Sequence, residues 1–367
     1  MDTTNRNYGI DLLRIVSMYM IVLLHVLGQG GILAKAHVLS THWLVAWFIE
    51  IFSYVAVNCY GLISGFVGID KEFKLSKVFR LWAEVAFYTI GIMLIFFMLY
   101  PNMINRQVIN GAIMPITSQL YWYISAYFGI MFLMPVINRA VKEISQFELQ
   151  KILFYFAVFG ILIPAMNLKD PLTFRGGYSA FWLLYMYLFG AYFRMCNIAK
   201  RVSVKQIQKY FWITTLSTFF LWCALHFVAT YRPGISRYNY LVVNYTAPII
   251  FLSSLLLFLY FINLEIKNKK TIRIINFFAS TTLGVYLIHV NPLIWQKYMK
   301  NFAVGFLENT PMLMSLKVVF AAMAIYLTCS MIDALRIYLF KVCSIYKYCD
   351  NFSDYLEQKM WGGNTQS

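Results

Sequence analysis

Arg14 and His25 lie in the first apolar stretch of the chain, from Ile10 to Leu27, with ten residues between them. Eleven helical steps place two side chains roughly 16 Å apart and only about 20° off a common face. One wall of one helix would therefore carry a guanidinium low down and an imidazole high up. A guanidinium inside an apolar segment costs about 2.5–3.5 kcal/mol on insertion scales, so it faces protein or a water-filled cavity. The alternative is that Arg14, near the start of the segment, snorkels to the surface. Asp11, three residues earlier, is a ready local partner. An imidazole titrates near neutrality and can carry a proton between reacting groups.

Further candidates sit in other apolar stretches. Ser280, Thr281, Thr282, Gly284, Tyr286 and His289 punctuate the ninth. Rising from Asn276, His289 lies about 20 Å up its helix, close to the depth expected for His25. Glu50 enters the second stretch from the other side; a carboxylate beside an imidazole would make an oriented base, whereas at the interface it would simply face water. Lys71, Lys74, Lys77 and Arg80 recur every three residues ahead of Leu81 and Trp82. Such a row attracts anionic lipid headgroups or holds a phosphorylated ligand. The ligand is favoured because the row and Arg14 lie on the same side. Glu84 is expected to pair with Arg80 at helical spacing.

The elements that must position these residues are membrane helices. Of 367 residues, 60% are hydrophobic, 19% aromatic and only 13% charged. A net charge of +16 raises the question of nucleic acid. The basic residues fall in short clusters between apolar stretches, as orientation in a bilayer requires, so no nucleic-acid partner is expected. At about 20 residues per span, the stretches run approximately 10–30, 43–67, 81–100, 119–137, 151–168, 179–195, 210–230, 241–264, 276–296 and 314–335. The expectation is an all-α polytopic bundle of about ten transmembrane helices. No linker or repeat divides it, so residues 1–335 form one transmembrane domain and 336–367 a cytoplasmic tail. Lys and Arg number 21 in the even connections and termini against eight in the odd connections. That asymmetry puts both termini in the cytoplasm. The first stretch could be mistaken for a signal peptide cleaved after Ala34-Lys35-Ala36, but Arg14 and the apolar character downstream argue that it stays. Six cysteines without paired spacing give neither a metal site nor a disulfide framework.

The outer loops are rich in Tyr, Trp, Asn and Gly, from Tyr100 to Trp122, at Arg175-Gly176-Gly177-Tyr178 and from Tyr231 to Tyr240. Aromatic faces with amide and guanidinium donors suit a sugar; they also make up any interfacial belt.

Taken in order, these residues resemble the acyltransferase-3 membrane acyltransferases. Arg14 and His25 resemble the first-span motif of that family. Gly61-Leu62-Ile63-Ser64-Gly65-Phe66 is similar to its Ser-Gly-Phe turn, and the row through Lys74, Lys77 and Arg80 to its cytoplasmic basic motif. Trp122-Tyr123 resembles the aromatic motif that opens the fourth span, and Leu283 to His289 the late Tyr-Leu-x-His segment. The resemblance covers about residues 8–335. The basic motif is more often two closely spaced arginines, and here it is spread out.

The resemblance implies transfer of an acyl group, usually acetyl from acetyl-CoA, to a hydroxyl of a carbohydrate, often a cell-surface polysaccharide or its lipid-linked precursor. It implies a multi-pass protein of the cell membrane that needs no metal. Arg14, Lys74, Lys77 and Arg80 would hold the donor phosphates, and His25, with Arg14, Glu50 and His289, would serve catalysis. Trp122, Tyr123 and Tyr286 would contact substrate. Whether His25 acts as a base or first forms an acyl-histidine stays open. Rival readings are a secondary transporter, which would ordinarily show repeated halves, and a flippase-like partner of a polysaccharide pathway.

Overall fold

The computed structural model describes residues 6–361 apart from 168, 171 and 199–201. The described residues contain no strand, and each of the ten apolar stretches contains a helix. In chain order the main helices are α1 (Tyr8–Gly28), α2 (Thr41–Ser53), α3 (Ala56–Gly68), α4 (Leu75–Leu99), α5 (Trp122–Glu143) and α6 (Gln146–Ala157). They continue with α7 (Ala180–Met195), α8 (Val204–Tyr231), α9 (Pro248–Ile262), α10 (Lys269–His289), α11 (Pro311–Val342) and α12 (Ile345–Trp361). Among the described residues, eight helical stretches are long and apolar enough to cross a membrane; one of them is the α2–α3 pair, broken at Tyr54–Val55. Lys200, Arg201 and the tail beyond residue 361, which entered the charge asymmetry or the tail assignment, lie outside the described residues.

α1 is the central helix, packed against α2, α3, α9, α10 and α11. Asn7 caps it by accepting from the Gly9 and Ile10 amides at 2.9 and 3.3 Å, and donates to the Ile262 carbonyl at 3.0 Å. The start of α1 is thus tied to the end of α9, and Leu13, Val22, Val26 and Leu27 on α1 are fully enclosed.

The α3–α7 contact is made by glycine. A Cβ on Gly65 would stand 1.8 Å from the Tyr187 carbonyl oxygen, and one on Gly190 would stand 2.0 Å from that of Leu62. Backbones approach this closely in membranes through small residues, since lipid provides no hydrophobic drive to bring helices together. The Ser64-Gly65-Phe66 segment therefore lies inside a helix that runs to Gly68, where a turn was expected.

The C-terminal region is helical as well. α11 extends to Val342, and the expected tail folds into α12, which packs on α4. A polar network is buried at this junction. The Arg336 guanidinium, 2% exposed, donates to both oxygens of Asp333 (2.8 and 3.0 Å) and to the Tyr346 hydroxyl at 2.9 Å. Tyr346 donates to Glu84 Oε1 at 2.5 Å, and Tyr88 donates to Asp333 at 2.5 Å. Every charge in the cluster has an opposite charge or a donor, as burial demands. Glu84 therefore pairs with Arg336, 3.5 Å away, rather than with Arg80. Arg80 is held instead by Asp350 of α12, through two hydrogen bonds.

Candidate active site

A cavity of about 810 Å³ opens between these helices, within the size range of small-molecule sites. Arg14, Lys71, Lys74 and Lys77 line one end, and His25, Trp295, Tyr178 and Tyr245 line it elsewhere. Trp122, Tyr123 and Tyr286 also contribute to its wall. Of the residues given a catalytic, donor-binding or substrate-binding role from the sequence, Glu50, Arg80 and His289 do not line it.

The basic end is assembled from three elements. Among the described residues Arg14 pairs with Asp11 at 3.3 Å and shares that carboxylate with Arg6 at 2.7 Å. It keeps 28% of its side chain exposed, so donors remain for a ligand. The Arg14 carbonyl accepts from the Tyr60 hydroxyl at 2.9 Å, which ties α1 to α3. The loop carrying Lys71 is pinned from α5: Asn138 donates to the Gly68 carbonyl at 3.0 Å and to that of Lys71 at 3.4 Å, while Tyr187 donates to Asn138 at 2.6 Å. Burial pushes the Lys71 ammonium below its usual range, and repulsion from Lys77, Arg14 and Arg6 adds to this. Cations crowded this way are poised for an anion, whose arrival relieves their repulsion.

Farther along α1, His25 meets His289 of α10. His25 Nδ1 and His289 Nε2 are 2.9 Å apart, and His289 Nδ1 lies 2.6 Å from the Val285 carbonyl. A carbonyl only accepts, so Nδ1 of His289 carries the proton and its Nε2 is the acceptor. His25 must then donate from Nδ1, which leaves the lone pair of its Nε2 uncommitted. His289 is 1% exposed and stays behind His25.

The end of α10 that carries His289 is itself stapled. The Tyr121 hydroxyl donates to the Leu287 carbonyl at 2.9 Å and accepts from Asn291 at 3.1 Å. The Trp295 ring stands edge-on to His25 with centroids 4.7 Å apart. It opens a five-residue π-helical turn, Trp295–Met299. Periodicity gave no sign of this contact, because the wider turn shifts the register.

Glu50 is buried on α2 with one carboxylate oxygen lacking a partner among the described residues. The structure does not bring it to His25, whose ring partner is a histidine. Toward the Tyr178 end, Gly176 and Gly177 adopt φ of +62° and +100°. A Cβ on Gly177 would meet the Tyr245 side chain at 2.3 Å. The glycine pair thus lets this loop lie against Tyr245, whose ring is 5.1 Å from that of Tyr178. Asp170 holds the loop by accepting from the Phe174 and Arg175 amides. Tyr178 belongs to an aromatic loop visible in the sequence; Tyr245 and Trp295 carried no such signal.

An imidazole with one free nitrogen, oriented by a second imidazole in a cavity with a cationic end, is equipped to move a proton during group transfer to or from an anionic donor. Comparison with curated proteins and with solved structures finds no match. The acyltransferase domain family matches residues 7–332, from the cap of α1 into α11. The chain belongs to this acyltransferase-3 family and is a multi-pass membrane acyltransferase.

Proposed function

We propose that the protein transfers an acetyl group from cytoplasmic acetyl-CoA to a hydroxyl of a carbohydrate, a cell-surface polysaccharide or its lipid-linked precursor, at the cell membrane. The observation that carries this reading is the hydrogen-bond chain Val285–His289–His25, which leaves His25 Nε2 bare in a cavity that also holds Arg14, Lys71, Lys74 and Lys77.

The donor phosphates rest on the basic end, and the thioester lies beside His25, roughly 16 Å away along α1. His25 Nε2 takes the proton of the acceptor hydroxyl as its oxygen attacks the thioester carbon. The imidazolium that forms keeps its Nδ1–H on His289, an acceptor already in place. The C–S bond then breaks, and the thiolate takes the proton back from His25 to leave as CoA–SH. Tyr123, Tyr286, Trp122 and Tyr178 supply aromatic faces for a sugar ring.

The test is incubation of membranes containing the purified protein with labelled acetyl-CoA and a candidate glycan, followed by mass spectrometry. Label on a glycan hydroxyl is the expected result. Label retained on the protein in the absence of glycan would instead make His25 a nucleophile. A transporter or a flippase-like partner would transfer no label, and CoA would not shield a cysteine at Lys77→Cys from a thiol reagent.

A further inference from the structure

Arg80 and Lys77 sit three residues apart on α4, yet they serve different neighbours. Lys77, Leu81 and Glu84 line the cavity. Arg80 points about 60° round the helix from Lys77, toward α12. Its Nε donates to Asp350 Oδ1 at 2.9 Å, its Nη2 donates to the other carboxylate oxygen, and its guanidinium lies 5.3 Å from the Tyr346 ring centroid. Next to it, Phe79 packs edge-on against Phe352 of α12 at 5.0 Å. Tyr346, on the same helix, reaches past Arg80 to Glu84, whose side chain lines the cavity. α12 thus grips α4 at three adjoining positions, on the side next to the cavity face.

We infer that Arg80 is a positioning residue: paired with Asp350, it anchors α12 to α4 and so fixes the cavity-facing row of Lys77, Leu81 and Glu84. The inference rests on the reading that the donor phosphates occupy the basic end. It departs from the expectation that Arg80 touches them. Arg80 does not line the cavity, and the edge of its guanidinium that carries Nε and Nη2 is committed to Asp350. Consistent with that, the Arg80 guanidinium holds the Asp350 carboxyl below the usual carboxylate range.

The two roles give opposite results for Asp350. If Arg80 positions α4, removing its carboxylate loosens the Lys77 row. If Arg80 binds phosphate, removing the carboxylate frees it for the donor. Equilibrium binding of coenzyme A to the full-length protein in nanodiscs, together with donor KM and kcat, separates them. Asp350→Ala and Arg80→Ala should each weaken coenzyme A binding and raise donor KM about threefold, a half-exposed ion pair's share, with kcat unchanged. The exchange Arg80→Asp with Asp350→Arg should bring both readouts back to within about twofold of wild type, since it restores the pair. Lys77→Ala serves as the reference. If Lys77→Ala weakens binding but Asp350→Ala leaves it unchanged or tighter, the positioning role is overturned and Arg80 is a phosphate ligand. The same holds if the exchange fails to restore binding. If Lys77→Ala itself leaves binding unchanged, the donor reading falls, and the positioning role falls with it.

Discussion

His25 donates from Nδ1 to His289 Nε2 across 2.9 Å, and His289 donates from its own Nδ1 to the Val285 carbonyl at 2.6 Å. The order of donors is set by the one group in the chain that cannot donate. A backbone carbonyl therefore decides which nitrogen of His25 is basic, without a carboxylate beside the imidazole.

This predicts unequal losses at the two histidines. His25→Ala should lower turnover by about 10²–10⁴, the usual cost of removing a general base, while coenzyme A still binds. His289→Ala should cost about ten- to a hundredfold, by analogy with loss of the outer hydrogen-bond partner of a metal-ligating imidazole. Turnover of purified, folded variants checks both. A deeper loss in His289→Ala than in His25→Ala would place the base on α10.

Lys71 predicts a pH dependence. Its pKa lies below the ordinary lysine value of 10.5, through burial and neighbouring cations. Only the ammonium form attracts phosphate. The attraction is complete at pH below that lowered pKa and is lost as pH rises through it, so donor KM should climb on the alkaline side. In Lys71→Arg the charge persists across the accessible range, and the rise should move to higher pH. Identical pH profiles in the two proteins would show that Lys71 does not face the donor.

The α3–α7 contact makes a stability prediction. Gly65→Ala forces a methyl into the Tyr187 carbonyl, 1.8 Å away, and should destabilise by about 1–3 kcal/mol, as overpacking does. Gly91→Ala on α4, where nothing stands within 4 Å, should be neutral or stabilise by up to about 1 kcal/mol through helix propensity. Thermal unfolding in detergent measures both. Equal melting temperatures would mean the helices separate without penalty.

Orientation can be tested with cysteine chemistry. Cys343 is exposed just beyond α11. As the sole cysteine it should react with an impermeant thiol reagent only after the cytoplasmic side is opened. Arg232→Cys, at the end of α8, should react from outside. The reverse pattern would put the basic end of the cavity on the side that lacks the donor.

The spans are legible in the sequence because a bilayer needs long uncharged runs, and Arg14 and His25 fall on one face through helical period alone. Contacts between distant stretches are not legible in the same way. His25 and His289 are 264 residues apart and Arg80 and Asp350 270, so periodicity within one helix cannot reveal either pair. Local spacing even misleads for Glu84: Arg80 lies one turn away, yet Arg336 and Tyr346 reach it through the fold. Trp295 is hidden for another reason, since a π-turn breaks the repeat by which faces are counted. The acyltransferase motifs give the order of the site residues along the chain, whereas the proton order at His25 needs the Val285 carbonyl in three dimensions.

The Glu84–Arg336–Tyr346 junction also bears on how the protein is made. Synthesis runs from the N-terminus, so the Glu84 carboxylate is laid down in α4 long before its partners exist; Tyr346 follows 262 residues later. Until then α4 carries a carboxyl group whose intended counter-charge is still untranslated. Arg336 in turn arrives in α11 with Asp333 already three residues behind it, a travelling partner that eases its transfer into the bilayer. A helix made late thus completes the charge pairing of one made early, so α4 carries an unmatched carboxyl group until α11 and α12 dock on it.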